Sequence, residues 1–249
     1  MPVVVTGADT PLGRLVVGRL AGQGLDLRAT VESRDAVRPL VDLGVKTAVS
    51  DLVDAERFGG VVEGAHTVIH LRGVSAHLVL DGVPDVVAAL PGSGVERIVT
   101  ISGFGHEAHP SLAALRATGL DVVVLRVGVV LAPLDDADAA RPAVPPGTRV
   151  APLHVDDLAA AITAADRLRD LHGYLDVDAV GSDVVTGAEL DRLLGTQRGV
   201  LGRLAARRGA RGPADLVGDR GAALGAVLGV RPMPLADAVS AVRAPGTGR

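Results

Sequence analysis

The stretch "VVVTGADTPLGR" (residues 3–14) decides how the chain is read. An apolar run of three valines stops at Thr6 and Gly7. Leu12, Leu15, Val16 and Leu20 then recur at helical spacing, until Gly22 and Gly24 supply stop signals. A glycine turn between a strand and a helix aims the helix N-terminus, with its unpaired N–H groups and positive dipole end, at an anion beyond the strand. Pro11 suits the first helical turn, where its missing N–H costs nothing.

Outward from this turn the pattern repeats. "LRATVE" (27–32), "VKTAVS" (45–50), "HTVIHLRG" (66–73), "ERIVTISG" (96–103) and "DVVVLRVG" (121–128) read as strands. Between them, "DAERFGGVVEG", "PDVVAAL" and "SLAALRATG" read as helices. Continuous Val/Ile/Leu runs mark strands buried on both faces, and strand–helix alternation at this spacing predicts a parallel sheet with helices on both sides. After residue 130 the regularity fades. "APLDDADAARPAVPPGTR" (132–149) reads as a long connection, "VDDLAAAITAADRL" (155–168) as a helix and "YLDVDAV" (174–180) as a strand. From about 186 the chain is helical and Arg-rich. The expectation is an α/β, doubly wound Rossmann-type domain over 1–130, with 151–180 returning to it. A small, mostly helical C-terminal substrate lobe is expected from 131–150 and 181–249.

Composition narrows the chemistry. The 249 residues suffice for a full-sized core, and 22% charged residues argue against global disorder. A net charge of −4 demands neither nucleic acid nor a membrane surface as partner. The five arginines of "RGVLGRLAARRGARG" (198–212) lack interleaved aromatics and read as a solvated helix face. With no cysteine, disulfides, thiolate metal sites and Cys nucleophiles are excluded together. No stretch reaches the roughly 20 apolar residues of a membrane span, and no signal peptide is evident, so the expected location is cytoplasmic. Lys46 is the one lysine and Tyr174 the one tyrosine.

A strand, a glycine turn and a helix are the context that a dinucleotide fingerprint requires. Gly7 and Gly13 stand at two of its glycine positions, and the middle one falls at Thr10. The second strand ends at Glu32, whose carboxylate suits a ribose hydroxyl and repels a 2′-phosphate, while Arg34 could hold that phosphate instead. NAD is favoured over NADP on this ground, and the alternative that no nucleotide binds stays open.

In order along the chain, "VTGADTPLG", "SDLVD" (50–54), "VIHLRG" (68–73), "GVERIVTISG" (94–103), "RATGLDVVVLRVG" (116–128), "PLHVDDLAAAI" (152–162) and "LGVRPMPLADAV" (228–239) resemble landmarks of the short-chain dehydrogenase/reductase superfamily. The likeness is closest to its extended and atypical branch, the NAD-dependent epimerase/dehydratase-like and NmrA-like proteins. The resemblance implies cofactor contacts at Gly7, Asp9, Thr10, Leu12 and Gly13 in the first turn, and at Glu32 and Arg34 after the second strand. It adds Asp51 and Leu52 beside the adenine, and Leu71, Arg72 and Gly73 after the fourth strand. The fifth strand would end in the catalytic-position Ser102, a small molecule would be the substrate, and a homodimer is one oligomeric option.

The departure that matters is the YxxxK pair of that family, which donates a proton and holds the nicotinamide ribose. No Tyr or Lys lies between Ser102 and the sixth strand, and an arginine such as Arg116 stays protonated and cannot replace the tyrosine. What the segment does hold is Ser102, His106, Glu107 and His109, just beyond a central strand where open α/β sheets bind ligands. Ser102, His106 and His109 are therefore the candidate catalytic residues, His106 as general acid or base and Ser102 as donor to a substrate oxygen. The alternative is a polar loop whose histidines do nothing. His-Glu-x-His in a turn lacks the i, i+4 spacing of a metal site, and none is assigned. His70 reads as a core or cofactor-edge histidine, and Asp156 or Asp157 as a helix cap. Three functions follow: an oxidoreductase or epimerase/dehydratase-type enzyme with a non-standard catalytic set, a non-catalytic NAD(P)-binding sensor, or a repurposed non-redox isomerase, cyclase or lyase.

Overall fold

The computed structural model describes residues 2–73, 76–132, 144–195, 217 and 222–243. Its elements run β1 (Val3–Thr6), α1 (Pro11–Ala21), β2 (Leu27–Val31), α2 (Val37–Asp42), β3 (Lys46–Val49), α3 (Ala55–Val62) and β4 (Thr67–His70). The chain continues through α4 (Ala76–Asp81), α5 (Val83–Ala89), β5 (Arg97–Gly103), α6 (Pro110–Ala117) and β6 (Asp121–Val127). Then come β7 (Val130–Leu131), β8 (Arg149–Val150), β9 (Leu153–His154), α7 (Val155–Asp166), β10 (Tyr174–Ala179), β11 (Val185–Thr186) and α8 (Gly187–Leu194). Helices at Ala222–Leu228 and Leu235–Arg243 follow. The described residues within 1–126 and 159–177 make one compact unit, and those within 127–158 and 178–249 a second.

Seven strands form one parallel sheet in the order β10-β6-β5-β4-β1-β2-β3. The chain winds outward from β1 through β2 to β3, then returns to the other side of β1 for β4. The switch point therefore lies between β1 and β4, and the crevice at the carboxyl ends there is where open α/β sheets take ligands.

Alternation places side chains on opposite faces of the sheet. Val4 pairs with Val68 and Val68 with Ile98, a row across three strands. On that face Phe58 and Val62 of α3, Val83 and Val86 of α5, and Leu112 and Leu115 of α6 close over the row. Phe58 is fully buried, and side chains of this size stabilise by roughly 2–3 kcal/mol each when removed from water. Arg97 enters the sheet buried, donating to the Asp166 carbonyl (2.6 Å) and facing Asp121 (3.5 Å).

α2 and α4, together with the short strands β7, β8, β9 and β11, are elements the sequence pattern does not announce. In the second unit, Val129, Leu131, Val144, Val150, Leu190 and Val239 form a separate core. There α8 opens with a capping box: the Thr186 hydroxyl accepts from Glu189 N–H and the Glu189 carboxylate from Thr186 N–H (3.2 and 2.7 Å). The cap of α7 is His154 rather than Asp156 or Asp157. Its Nδ1 accepts from Asp156 N–H (3.3 Å), while the Asp157 carboxylate accepts from Met233 N–H (2.9 Å). The arginine-rich stretch 198–212 lies outside the described residues.

Candidate dinucleotide site

The first turn is built by close backbone approach. Gly7 has φ +66°, and a Cβ there would stand 2.6 Å from Arg72 Cα at the end of β4. A Cβ on Gly13 would stand 2.1 Å from the Gly7 carbonyl oxygen. One glycine lets the turn press against Leu71–Arg72, the other lets α1 pack onto the turn. The sequence brings together here Gly7, Gly13, Leu71 and Arg72, four of the expected contact residues.

Thr10 does something a middle glycine cannot. Its hydroxyl donates to the Gly7 carbonyl (2.7 Å) and accepts from Gly13 N–H (3.0 Å), capping α1. Pro11 has no N–H, and Arg14 N–H already reaches the Thr10 carbonyl (2.9 Å). The Leu12 N–H is thus the donor the first turn of α1 leaves for an anion. These residues fit a pyrophosphate, with a leaner donor set than an all-glycine turn provides.

Asp9 reaches across to β2. Its Oδ2 accepts from Glu32 N–H (2.8 Å) and Ser33 N–H (3.3 Å). The Glu32 carboxylate turns the other way and accepts from Arg72 Nε (2.8 Å). Arg34 is exposed at the start of a single 3₁₀ turn, and Asp51 is exposed with a local bond from Val53 N–H (3.3 Å). Leu52 is buried at φ +67°, its N–H held by the Ser50 hydroxyl (3.1 Å). A non-glycine residue in that conformation costs on the order of 1–2 kcal/mol and persists because the surrounding core holds it. Gly73 has φ +123°.

Beneath the turn lies His70, fully buried. Its Nε2 faces the Val79 carbonyl (2.9 Å), which can only accept, so Nε2 carries the proton. Nδ1 then accepts from the Thr6 hydroxyl (2.8 Å), whose oxygen accepts in turn from Leu71 N–H (3.2 Å). Thr100 donates to the His70 carbonyl (3.0 Å). Burial pushes the imidazole down to about 4, so it is neutral at physiological pH and pins β1, β4 and α4 together.

The second loop, after β5, is arranged differently. Ser102 is buried as the penultimate residue of β5. His106 is half-buried in the following turn, its N–H donating to the Gly103 carbonyl (3.2 Å). The Glu107 carboxyl is held below its usual range by its own N–H and that of Gly105 (3.1 Å). The Arg126 guanidinium lies over the Phe104 ring at 5.8 Å. His109 serves as the N-cap of α6: Nδ1 accepts from Ser111 N–H (3.3 Å), and Nε2 donates to Asp81 of α4 (3.2 Å). Sequence reasoning missed Thr6, Thr100, Asp81 and Arg126. Only Thr6 carried a signal, as the last residue of the strand that enters the glycine turn. Among the described residues no group of three or more His, Cys, Asp or Glu is placed to hold a metal ion, and no helix is long and apolar enough to cross a membrane.

Residues 7–114 match an NAD(P)H-binding family model. Solved structures share the fold along nearly the whole chain. A nucleoside-diphosphate-sugar epimerase of Staphylococcus aureus aligns at TM-score 0.73, with 17% identity, over 96% of this chain and 99% of its own. The family-model match is confined to residues 7–114, and the likeness to the solved structures is one of fold. The same fold is seen in the triphenylmethane reductase of Citrobacter sp. complexed with NADP(H), at TM-score 0.73 and 19% identity, over 97% of this chain and all (100%) of that one. It recurs in the NADPH-dependent quinone oxidoreductase of Escherichia coli complexed with NADPH, at TM-score 0.71 and 18% identity, over 96% and 99%. An uncharacterized protein of Mycobacterium tuberculosis is 31% identical over 134 residues, 52% of this chain and 15% of that protein's length.

Proposed function

We propose that the chain is an NAD(P)H-dependent reductase of a small conjugated electrophile, such as a quinone-like or cationic dye-like acceptor, that needs no protein Tyr–Lys acid. The observation that carries this reading is the pairing of a glycine turn closed by Gly7 and Gly13 with a second loop lacking Tyr and Lys between Ser102 and Asp121. When bound, a nicotinamide supplies the hydride, becoming oxidised as the acceptor is reduced by two electrons. The chain's own residues bind and orient. Leu12 N–H and the end of α1 face the pyrophosphate, and Ser102 donates to a substrate oxygen. His106 relays from solvent any proton that the reduced acceptor takes up, and His109, the N-cap of α6, holds that helix in place rather than acting in the chemistry. NADH is the expected cofactor, since the end of β2 is acidic. The two reductase neighbours, whose names specify a triphenylmethane and a quinone, support the acceptor class. An epimerase or dehydratase activity belongs to the same fold and is the variant with the least support from the second loop. A non-catalytic sensor is the second reading, favoured by the same absence of Tyr and Lys.

The test is to measure NADH and NADPH binding by nicotinamide fluorescence. Oxidation of the bound cofactor is then followed on adding a quinone, a triarylmethane dye or a simple ketone. Oxidation by the quinone or dye but not by the ketone is expected. Binding without oxidation by any acceptor makes the protein a sensor, and no binding at millimolar cofactor leaves a non-redox enzyme.

A further inference from the structure

We infer that Asp9, rather than Glu32, is the residue that selects NADH over NADPH; this rests on the nicotinamide-binding reading above. In this fold the end of β2 faces the adenosine ribose, and cofactors differ there by a 2′-hydroxyl or a 2′-phosphate. A 2′-phosphate is an acceptor and needs donors. The backbone donors at that position are the N–H groups of Glu32 and Ser33, and both are taken by Asp9 Oδ2 (2.8 and 3.3 Å). The loop is fixed in this posture. Ala8 N–H donates to the Thr30 carbonyl (3.0 Å), and the Arg14 guanidinium donates to the Asp9 carbonyl (2.7 Å).

The two carboxylates are not equivalent. Glu32 is paired with Arg72 through Oε1 (2.8 Å), so its charge is partly offset. Asp9 uses one oxygen on the two backbone N–H groups and retains Oδ1 as an acceptor. A ribose 2′-hydroxyl can donate to that oxygen. A phosphate cannot, and it meets a fixed negative charge already seated on the donors it would use. Arg34 is exposed at the start of the following 3₁₀ turn.

The test uses the full chain and its Asp9→Ala, Asp9→Asn and Glu32→Gln variants, with circular dichroism as the check on folding. Dissociation constants for NADH and NADPH are read from nicotinamide fluorescence. Wild type is expected to prefer NADH, and Asp9→Ala to shift the NADPH/NADH affinity ratio toward NADPH by about tenfold or more. Asp9→Asn, which keeps an acceptor oxygen without the charge, is expected to fall between and serves should Asp9→Ala not fold. Glu32→Gln is expected to move the ratio less than about threefold. A wild-type preference for NADPH, an unchanged ratio in both Asp9 variants, or a larger shift in Glu32→Gln overturns the inference while leaving cofactor binding intact. Failure of every protein to bind either cofactor overturns the binding reading and this inference with it.

Discussion

The β1–α1 turn and the β5–α6 loop lie at the carboxyl ends of one sheet, and they keep different things. The first keeps backbone geometry: Gly7 and Gly13 permit approaches that no side chain could survive. The second keeps a serine at the strand end but lacks Tyr and Lys, and one of its histidines is a helix cap. Binding by backbone N–H groups depends on shape, so it tolerates Thr10 and Pro11. Proton transfer depends on side-chain identity and is lost when the identity changes. The two loops therefore diverge in what a substitution can do to them.

The largest effect should come from the first turn. Gly13→Ala drives a Cβ to 2.1 Å from backbone and is expected to cost more than about 3 kcal/mol and abolish cofactor binding. Gly18→Ala, five residues along the same helix with nothing within 4 Å of the added carbon, should instead be neutral or stabilise by up to about 1 kcal/mol. Thermal melts of the two variants check this. Equal effects would show that the turn is no tighter than an ordinary helix.

Next in size is the buried imidazole that pins β1, β4 and α4 beneath the first turn. His70 titrates near 6.5 when unfolded and is pushed down to about 4 when folded. The unfolded chain therefore binds a proton that the native state refuses. Stability is fully present above about pH 6.5 and is lost as pH falls from there toward 4. The loss at pH 5 relative to pH 7.5 is on the order of 2 kcal/mol. Urea midpoints at the two pH values measure it, and a midpoint that does not fall would mean His70 is accessible to protons.

The smallest effect tests the second loop. His109→Ala removes a cap and a half-exposed ion pair, and is expected to cost about 1–2 kcal/mol. Asparagine, a good cap, should restore most of that stability and leave turnover near wild type. A variant that is stable but inactive would place His109 in the chemistry and narrow the contrast between the loops.

The sequence displayed whatever depends on local repetition. The apolar run of β5 and the helical character of α3 and α7 are visible without partners, whereas the switch point between β1 and β4 is fixed by strand order, which alternation alone does not give. α4, six residues after a glycine, is too short to show a period. The pairings at the site were hidden for a different reason. Asp9 meets residues 23 and 24 positions away, and Arg72 meets Glu32 40 positions away, so neither leaves a trace in spacing. The capping role of His109 is not legible in the sequence, because a histidine with a glutamate nearby reads the same whether the ring caps a helix or moves a proton.

Position 70 has a consequence for the changes the gene can absorb. An apolar replacement leaves the Thr6 hydroxyl proton without its acceptor and removes one of the two donors to the Val79 carbonyl, which keeps Gly82 N–H (3.2 Å); a permanently charged one sits in a core with no counterion among the groups that touch His70. The restriction spreads to position 82, where even a methyl group would press on the ring at 3.1 Å. The two sites form a linked lock in sequence space. A methyl group at position 82 requires the ring to give by a few tenths of an ångström, so each position constrains the other.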